Sequence, residues 1–209
     1  MKNKGKRGGA VFIAGGGLLL AAAFLLAGYN LLDEHRAGVA AAQVLKTLQV
    51  QIQGHSSAPE EPSSSGAEIP DFVLTPDKEM PVTDIEGNDY IGILEIPALD
   101  LSLPVMSEWS YPKLKIAPCR YHGSAYSGSL VIAAHNYSTH FGKLKSLAAG
   151  APVWFTDVQG HRFLYEAAAV EVLGPTAADD MLSGEWDLTL FTCTPGGQAR
   201  VAVRCIKAG

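Results

Sequence analysis

The sequence predicts a mainly β domain held at a membrane by one N-terminal helix and a linker. Three observations carry that expectation. A block of 25 residues, Gly8 to Leu32, contains no charged side chain. Residues 54–70, "GHSSAPEEPSSSGAEIP", shift abruptly to Ser, Pro, Glu and Gly. Beyond them the chain breaks into short apolar or alternating runs punctuated by Pro, Gly and Asn, the pattern of many short strands with turns between them. A length of 209 residues accommodates one such domain with its appendages.

The elements follow in order. Residues 1–7 form a basic tail, with Lys2, Lys4, Lys6 and Arg7 as its charges. Residues 8–32 are long enough to cross the hydrocarbon core, which takes ~20 helical residues. The basic flank holds the N-terminus in the cytoplasm and sends the rest outside. A cleaved signal peptide is the rival reading, but its apolar core spans only ~7–15 residues, and the small-residue run "VAAAQ" lies well past the block. Residues 33–81 comprise a helical stalk and the flexible linker. Leu45, Leu48 and Ile52 give the stalk helical spacing, either continuing the membrane helix or packing on the domain. The linker buries too little to fold alone. The compact domain is expected over residues 82–209, with no further membrane segment after Gly209.

Within that domain "YIGILEIPALDLSLPV" reads as β-prone runs broken at Pro97 and Pro104, and "SLVIAAHNY" as a buried strand with a polar turn. "APVWFTDVQGHRFLYEAAAVEVLG" reads as two strands joined at Gln159-Gly160, while "DLTLFT" and "RVAVRCI" complete the set. Only "FGKLKSL", from Phe141 to Leu147, has helical spacing. The pattern favours a barrel or sandwich over a parallel α/β sheet.

Charge narrows the partners. The net charge is −5, and every acidic residue lies after Leu32, so the exported part carries 12 basic against 21 acidic residues. A nucleic-acid surface is excluded on that balance. Three cysteines, Cys119, Cys193 and Cys205, face an oxidising compartment, and an odd number leaves at least one unpaired within the chain. No Cys or His spacing suggests zinc. Glu95, Glu108 and Asp157 are acidic candidates for calcium, but they lack ligand spacing, so no cofactor is expected.

Cys193 stands out. The alternating strand Leu188 to Thr192 delivers it to a Pro-Gly-Gly turn, and Arg200 opens the next strand. A hairpin brings thiol and guanidinium together, and a nucleophilic cysteine needs such a neighbour or a base, because the thiolate is the reactive form. Among six histidines, His35 and His55 fall in stalk and spacer, His161 beside a turn, and His140 where a surface or capping group is expected. His122, in "CRYHGS", competes with His135, which a rigid strand presents at its end. Arg204 shares the strand face of Arg200, so parity does not separate them, but Arg200 is nearer the turn. Trp109, Trp154 and Trp186 read as core or rim residues.

The ordered motifs resemble the sortase family. "TLFTC" followed by an Arg on the next strand is similar to its TLxTC signature, and "LVIAAHN" to its histidine motif. "FGKLKSLAAGAPVWFTDVQGHRFLYE" resembles the F-x-x-L, Asp, Gly and Tyr pattern that follows, and "IGILEIPALDLSLPV" the opening strands. The resemblance covers about Asp89 to Lys207. It implies a closed eight-stranded β-barrel with short helices and a cysteine transpeptidase on the outer face of a Gram-positive-type cell. It implies Cys193 as nucleophile, His135 as proton-transfer partner and Arg200 as oxyanion stabiliser, with Thr192 and Thr194 beside the substrate. Implied partners are surface proteins or pilins carrying an LPxTG-like signal, cut between Thr and Gly, and an amine acceptor on a peptidoglycan precursor or pilin lysine. A purely hydrolytic cysteine peptidase and a non-enzymatic binding domain are the alternatives. Six residues between Cys193 and Arg200 make a shorter connection than the family often has, which leaves the subclass open. "TCTP" resembles pilin-polymerising members, whereas a short chain with a single anchor fits the anchoring classes. "DFVLTPDKEMP" is a candidate to lie over the barrel. Cys119 and Cys205 read as buried small apolar residues, with a disulfide between them as the sharper alternative.

Overall fold

The computed structural model describes residues 5–56 and 70–208. Lys2 and Lys4 of the basic tail and most of the linker, residues 57–69, lie outside the described residues, as do the side chains of Lys6, Arg7 and His55. Helix α1 runs unbroken from Gly5 to Ser56 and contains both the apolar block and the stalk. Its two halves differ in what surrounds them. Phe12, Leu19, Phe24, Leu26 and Leu31 are all exposed, on every side of the helix. Such a surface is stable in lipid and unfavourable in water. Beyond Asp33 the burial becomes one-sided: Ala37, Ala41, Val44, Leu48 and Ile52 are buried at spacings of three and four. The stalk therefore both continues the apolar helix and packs on the domain. Burying Val44, Leu48 and Ile52 contributes about 6 kcal/mol together as an upper figure, enough to keep the stalk docked.

Nine strands form the domain: β1 (Thr83–Ile85), β2 (Asn88–Ile96), β3 (Leu101–Met106), β4 (Cys119–His122), β5 (Leu130–Ala133), β6 (Pro152–Asp157), β7 (Arg162–Leu173), β8 (Leu188–Cys193) and β9 (Arg200–Lys207). Their order is β1-β2-β3-β4-β5-β8-β9-β7-β6, and β6 pairs back with β2. That last pairing closes eight strands into a barrel, as the sequence leads one to expect, with β1 added outside the ring as a hairpin arm. Most pairings are antiparallel; β3–β4 and β5–β8 are parallel. A short helix α2 (Asp71–Leu74) precedes β1, and α3 (Tyr111–Leu114) and α4 (Ala178–Leu182) sit between strands.

The "FGKLKSL" segment departs from expectation. It forms turns and a single 3-10 turn at Leu144–Ser146, not an α-helix. Its apolar spacing has another cause: Phe141, Leu144 and Leu147 all point into the barrel core. The hairpin at Gln159-Gly160 forms where expected, joining β6 to β7. The segment before β1 packs on the barrel through Phe72, whose ring stacks on Tyr126 at 4.5 Å, and Met80 is buried in the core.

Barrel closure depends on Gly92. Strand β2 pairs with β6 and β3 within the ring and with β1 outside it, and its register to β3 shifts between Tyr90 and Gly92. A Cβ on Gly92 would lie 2.1 Å from the Thr156 carbonyl oxygen, a backbone atom of β6 with nowhere to go. Gly174, by contrast, has nothing within 4 Å of that position. Gly92→Ala is therefore expected to cost about 2–3 kcal/mol in denaturant unfolding, the usual range for overpacking, and Gly174→Ala almost nothing. Equal midpoints for the two variants would contradict this account of closure.

Candidate active site

The site is assembled by three strands on the outer face of the barrel. Strand β8 points Leu188 and Leu190 into the core, so Thr189, Phe191 and Cys193 take the opposite face. Strand β9 points Val201, Val203 and Cys205 inward, which leaves Arg200 and Arg204 outward. In the antiparallel register Cys193 lies directly opposite Arg200, and Thr189 opposite Arg204. The connection between them is pinned at several points. Gly197 N–H donates to the Thr194 carbonyl at 2.8 Å, Thr194 N–H to the Ala199 carbonyl at 3.0 Å, and Ala199 N–H to Thr194 Oγ1 at 3.0 Å. Gly196 and Gly197 both have positive φ, 81° and 72°, a conformation that other residues adopt only under strain. The Pro-Gly-Gly stretch thus gives the tight return that sets Cys193 against Arg200.

Strand β5 supplies the imidazole. It runs parallel to β8 with Ala133 beside Phe191. The contact continues past the strand end: Ala134 N–H donates to the Phe191 carbonyl at 3.1 Å, and Thr192 Oγ1–H to the Ala134 carbonyl at 2.8 Å. Thr192 is buried, so this hydroxyl clamps the residue before Cys193 to the residue before His135. His135, Cys193 and Arg200 then line one cleft of about 200 Å³, walled by Trp109, Tyr111, Leu114, Met181 and Phe191. The Arg200 guanidinium is braced by the turn, its Nη1 donating to the carbonyls of Gly197 and Ala199, both at 3.1 Å.

The structure also separates the competitors. Arg204 is buried and fully committed, donating to Glu171 Oε2 at 3.0 Å, to Thr189 Oγ1 at 3.2 Å, and to the Met181 and Asp180 carbonyls. It braces β9 against β7 and α4. His122 ends β4 on a separate groove, with Glu79, Glu108 and Arg120. His161 is tied to the buried Asp157, Nδ1 to Oδ2 at 2.8 Å. His140, expected at the surface, is instead fully buried, with both ring nitrogens unpaired among the described residues. Sequence reasoning missed this because the segment that carries it turns inward instead of forming a surface helix. The segment "DFVLTPDKEMP" lies on the barrel by way of Phe72, which packs on Tyr126, His161 and Phe163, and none of its residues lines the cleft.

All three cysteines are free thiols. Cys119 packs beside Met106 in one core cluster and Cys205 lies in another, and burial pushes each thiol up to about 12. They are inert packing residues at neutral pH. The acidic candidates for calcium are dispersed: Glu95 pairs with Arg162, Glu108 with Lys113, and Asp157 with Tyr126 and His161. Among the described residues no group of three or more His, Cys, Asp or Glu is placed to hold a metal ion.

Burial draws the His135 pKa below the ordinary imidazole value, and nearby Lys115 adds to that, while Asp33 opposes it. Its Nε2 is buried without a hydrogen-bond partner among the described residues.

A partly exposed thiol beside a guanidinium and an unbonded imidazole is the equipment of acyl transfer through cysteine. The sortase domain family matches residues 94–208, more than half of the chain. The chain belongs to that family, and as a sortase it is a cysteine transpeptidase. A search of curated proteins returned no significant match. Solved structures agree on the fold. The chain is similar to a sortase D5 transpeptidase of Clostridium perfringens, at 20% identity and a TM-score of 0.57, over 80% of this chain and 99% of that one. It is similar to sortase A of Corynebacterium diphtheriae, at 20% identity and a TM-score of 0.53, over 90% and 96%. With sortase C1 of Streptococcus suis it shares 25% identity and a TM-score of 0.50, over 57% and 73%.

His140 provides a test of the packing beneath the site. Burial pushes its pKa from 6.5 down to about 4. Between those values the unfolded chain takes up a proton that the folded chain refuses. The stabilisation is therefore complete above 6.5 and is lost as pH falls toward 4. His140→Phe removes this contribution. Urea unfolding at pH 7 and 4.5 should show the wild type losing on the order of 3 kcal/mol more than the variant. Parallel losses would mean that His140 is protonated in the fold.

Proposed function

We propose that this chain is a membrane-anchored sortase that cleaves an LPxTG-like sorting signal between Thr and Gly and passes the acyl group to an amine. In this reading residues 8–32 span the membrane with the N-terminus in the cytoplasm, and the barrel lies outside. The observation that carries it is the cleft shared by Cys193, His135 and Arg200, with Cys193 and Arg200 in direct strand register.

The chemistry follows from the three groups. The Cys193 thiolate attacks the Thr carbonyl carbon, forming an S–C bond and a tetrahedral oxyanion. Arg200, one strand away, accepts that charge, a task for which preorganised donors are most effective. Collapse breaks the C–N bond, and protonated His135 gives its proton to the departing glycine amine. The acceptor amine then attacks the thioester, returns a proton to His135 and regenerates the thiolate. Thr192 and Thr194 serve the substrate path through the frame, since both hydroxyls are engaged with backbone. Trp109, Leu114, Met181 and Phe191 give the cleft apolar walls, which suit the Leu and Pro side chains of such a signal. The acceptor is a cell-wall precursor or a pilin lysine.

The decisive experiment incubates the full chain with a fluorescent LPxTG-type peptide, with and without a primary amine. The account expects amine-dependent ligation, with slow hydrolysis when the amine is omitted. Cys193→Ala should reduce both at least a thousandfold while the thermal midpoint stays put. Cleavage without transfer would indicate a peptidase, and ligation by Cys193→Ala would refute the mechanism.

A further inference from the structure

The His135 imidazole makes no hydrogen bond to any described residue, yet a proton carrier has to be held in a productive orientation. What holds it comes from the membrane helix. The Tyr137 ring centroid lies 4.8 Å from that of His135, the rings tilted by 30°, and 5.5 Å from that of His140. Tyr137 is fixed by its hydroxyl, which donates to Asp33 Oδ2 at 2.7 Å. Asp33 is the first charged residue after the apolar block, 104 positions away in sequence. The same carboxylate oxygen lies 3.6 Å from Lys115 Nζ.

The next residue reinforces the contact. Glu34 Oε1 accepts from the Ser138 backbone N–H at 2.7 Å and from the Ser138 hydroxyl. Thr139 fits against the helix where Gly38 has no side chain; a Cβ there would meet Thr139 Cγ2 at 3.1 Å. The loop behind His135 is thus gripped at three consecutive residues by one face of α1. It also folds on itself, with Phe141 N–H donating to the His135 carbonyl at 3.1 Å. Docking of the stalk alone needs none of these bonds, because its apolar stripe does that on β2 and β3 further along.

We infer that Asp33 is a positioning residue for the transpeptidation: it holds Tyr137, which orients His135, so that the anchor helix completes the active site. The inference rests on the reading of His135 as the proton-transfer group. An ionised carboxylate at that place also acts on the imidazole electrostatically. The charged and titratable groups around His135 are Asp33 and Glu34 on α1, Lys115 after α3, Tyr137 and His140 on its own loop, and Cys193 and Arg200 across the cleft. The Tyr137 hydroxyl holds the Asp33 carboxyl below its usual value, so Asp33 is charged throughout the working range.

The test uses the full chain in lipid nanodiscs and four variants: Asp33→Asn, Tyr137→Phe, the two combined, and Gln43→Ala. Gln43 bonds Glu86 from another part of the same helix, at 3.2 Å, and does not touch the His135 loop. The expected result is a kcat about tenfold lower for Asp33→Asn and Tyr137→Phe, KM within about twofold, and no further loss in the double variant. Gln43→Ala should match the wild type. A second readout needs no substrate: the His135 imidazole titration, followed by NMR, has its midpoint below the ordinary 6.5 in the wild type and lower still in Asp33→Asn, which loses the favourable charge. Unchanged kcat and midpoint in Asp33→Asn overturn the inference, as does an equal loss in Gln43→Ala. A wild type that turns over no sorting peptide refutes the proposed function instead, and the titration then decides the coupling alone.

Discussion

The site depends on one backbone junction, the seam where β8 runs between β9 and β5. On one side an antiparallel register sets Cys193 opposite Arg200. On the other a parallel register, extended by the Thr192 hydroxyl to the Ala134 carbonyl, brings the start of the His135 loop alongside. Strand positions are fixed by ladder hydrogen bonds and by core packing on the inner face, so the barrel places Cys193 and Arg200 directly, and His135 just past the end of β5. A slip of one residue in either register would turn Cys193 into the core and bring Thr192 or Thr194 to the cleft. The arrangement of the candidate site is a consequence of these two registers.

Much of this could be read from residue patterns, for reasons that differ between elements. Cys193, the Pro-Gly-Gly turn and Arg200 lie within eight residues, and a hairpin has few ways to connect them. The long N-terminal helix is legible in a 25-residue stretch without charge. Arg204 could not be set aside by parity; what separates it from Arg200 is a network to Glu171, Met181, Asp180 and Thr189, contributed by two other elements. The spacing of Phe141, Leu144 and Leu147 looked helical because inward-facing turn residues can mimic a helix face over two turns. Asp33 and Tyr137 carried no signal at all. Their contact spans 104 residues and appears only once the stalk is docked.

In the proposed topology, docking of the stalk gives the anchor a second role. The helix leaves the apolar block at Leu32, and within one residue it touches the loop that carries His135. Anchor and active site are therefore neighbours, with no free spacer between them on this path. In the proposed topology the cleft sits close to the outer membrane surface. The linker, which reads as the flexible tether in composition, lies beyond the docked stalk in the chain, so it does not set that height.

The account's central claim is that Cys193 alone carries the acyl group, held ready by groups that meet only at the seam. Intact-mass spectrometry of the full chain, quenched in acid during turnover of an LPxTG-type peptide, tests it most directly. The account requires an adduct of the peptide up to its Thr, mapped to Cys193 and released by hydroxylamine, with Cys119 and Cys205 unmodified. An adduct on either of those buried thiols, or turnover with no thioester at all, would contradict it.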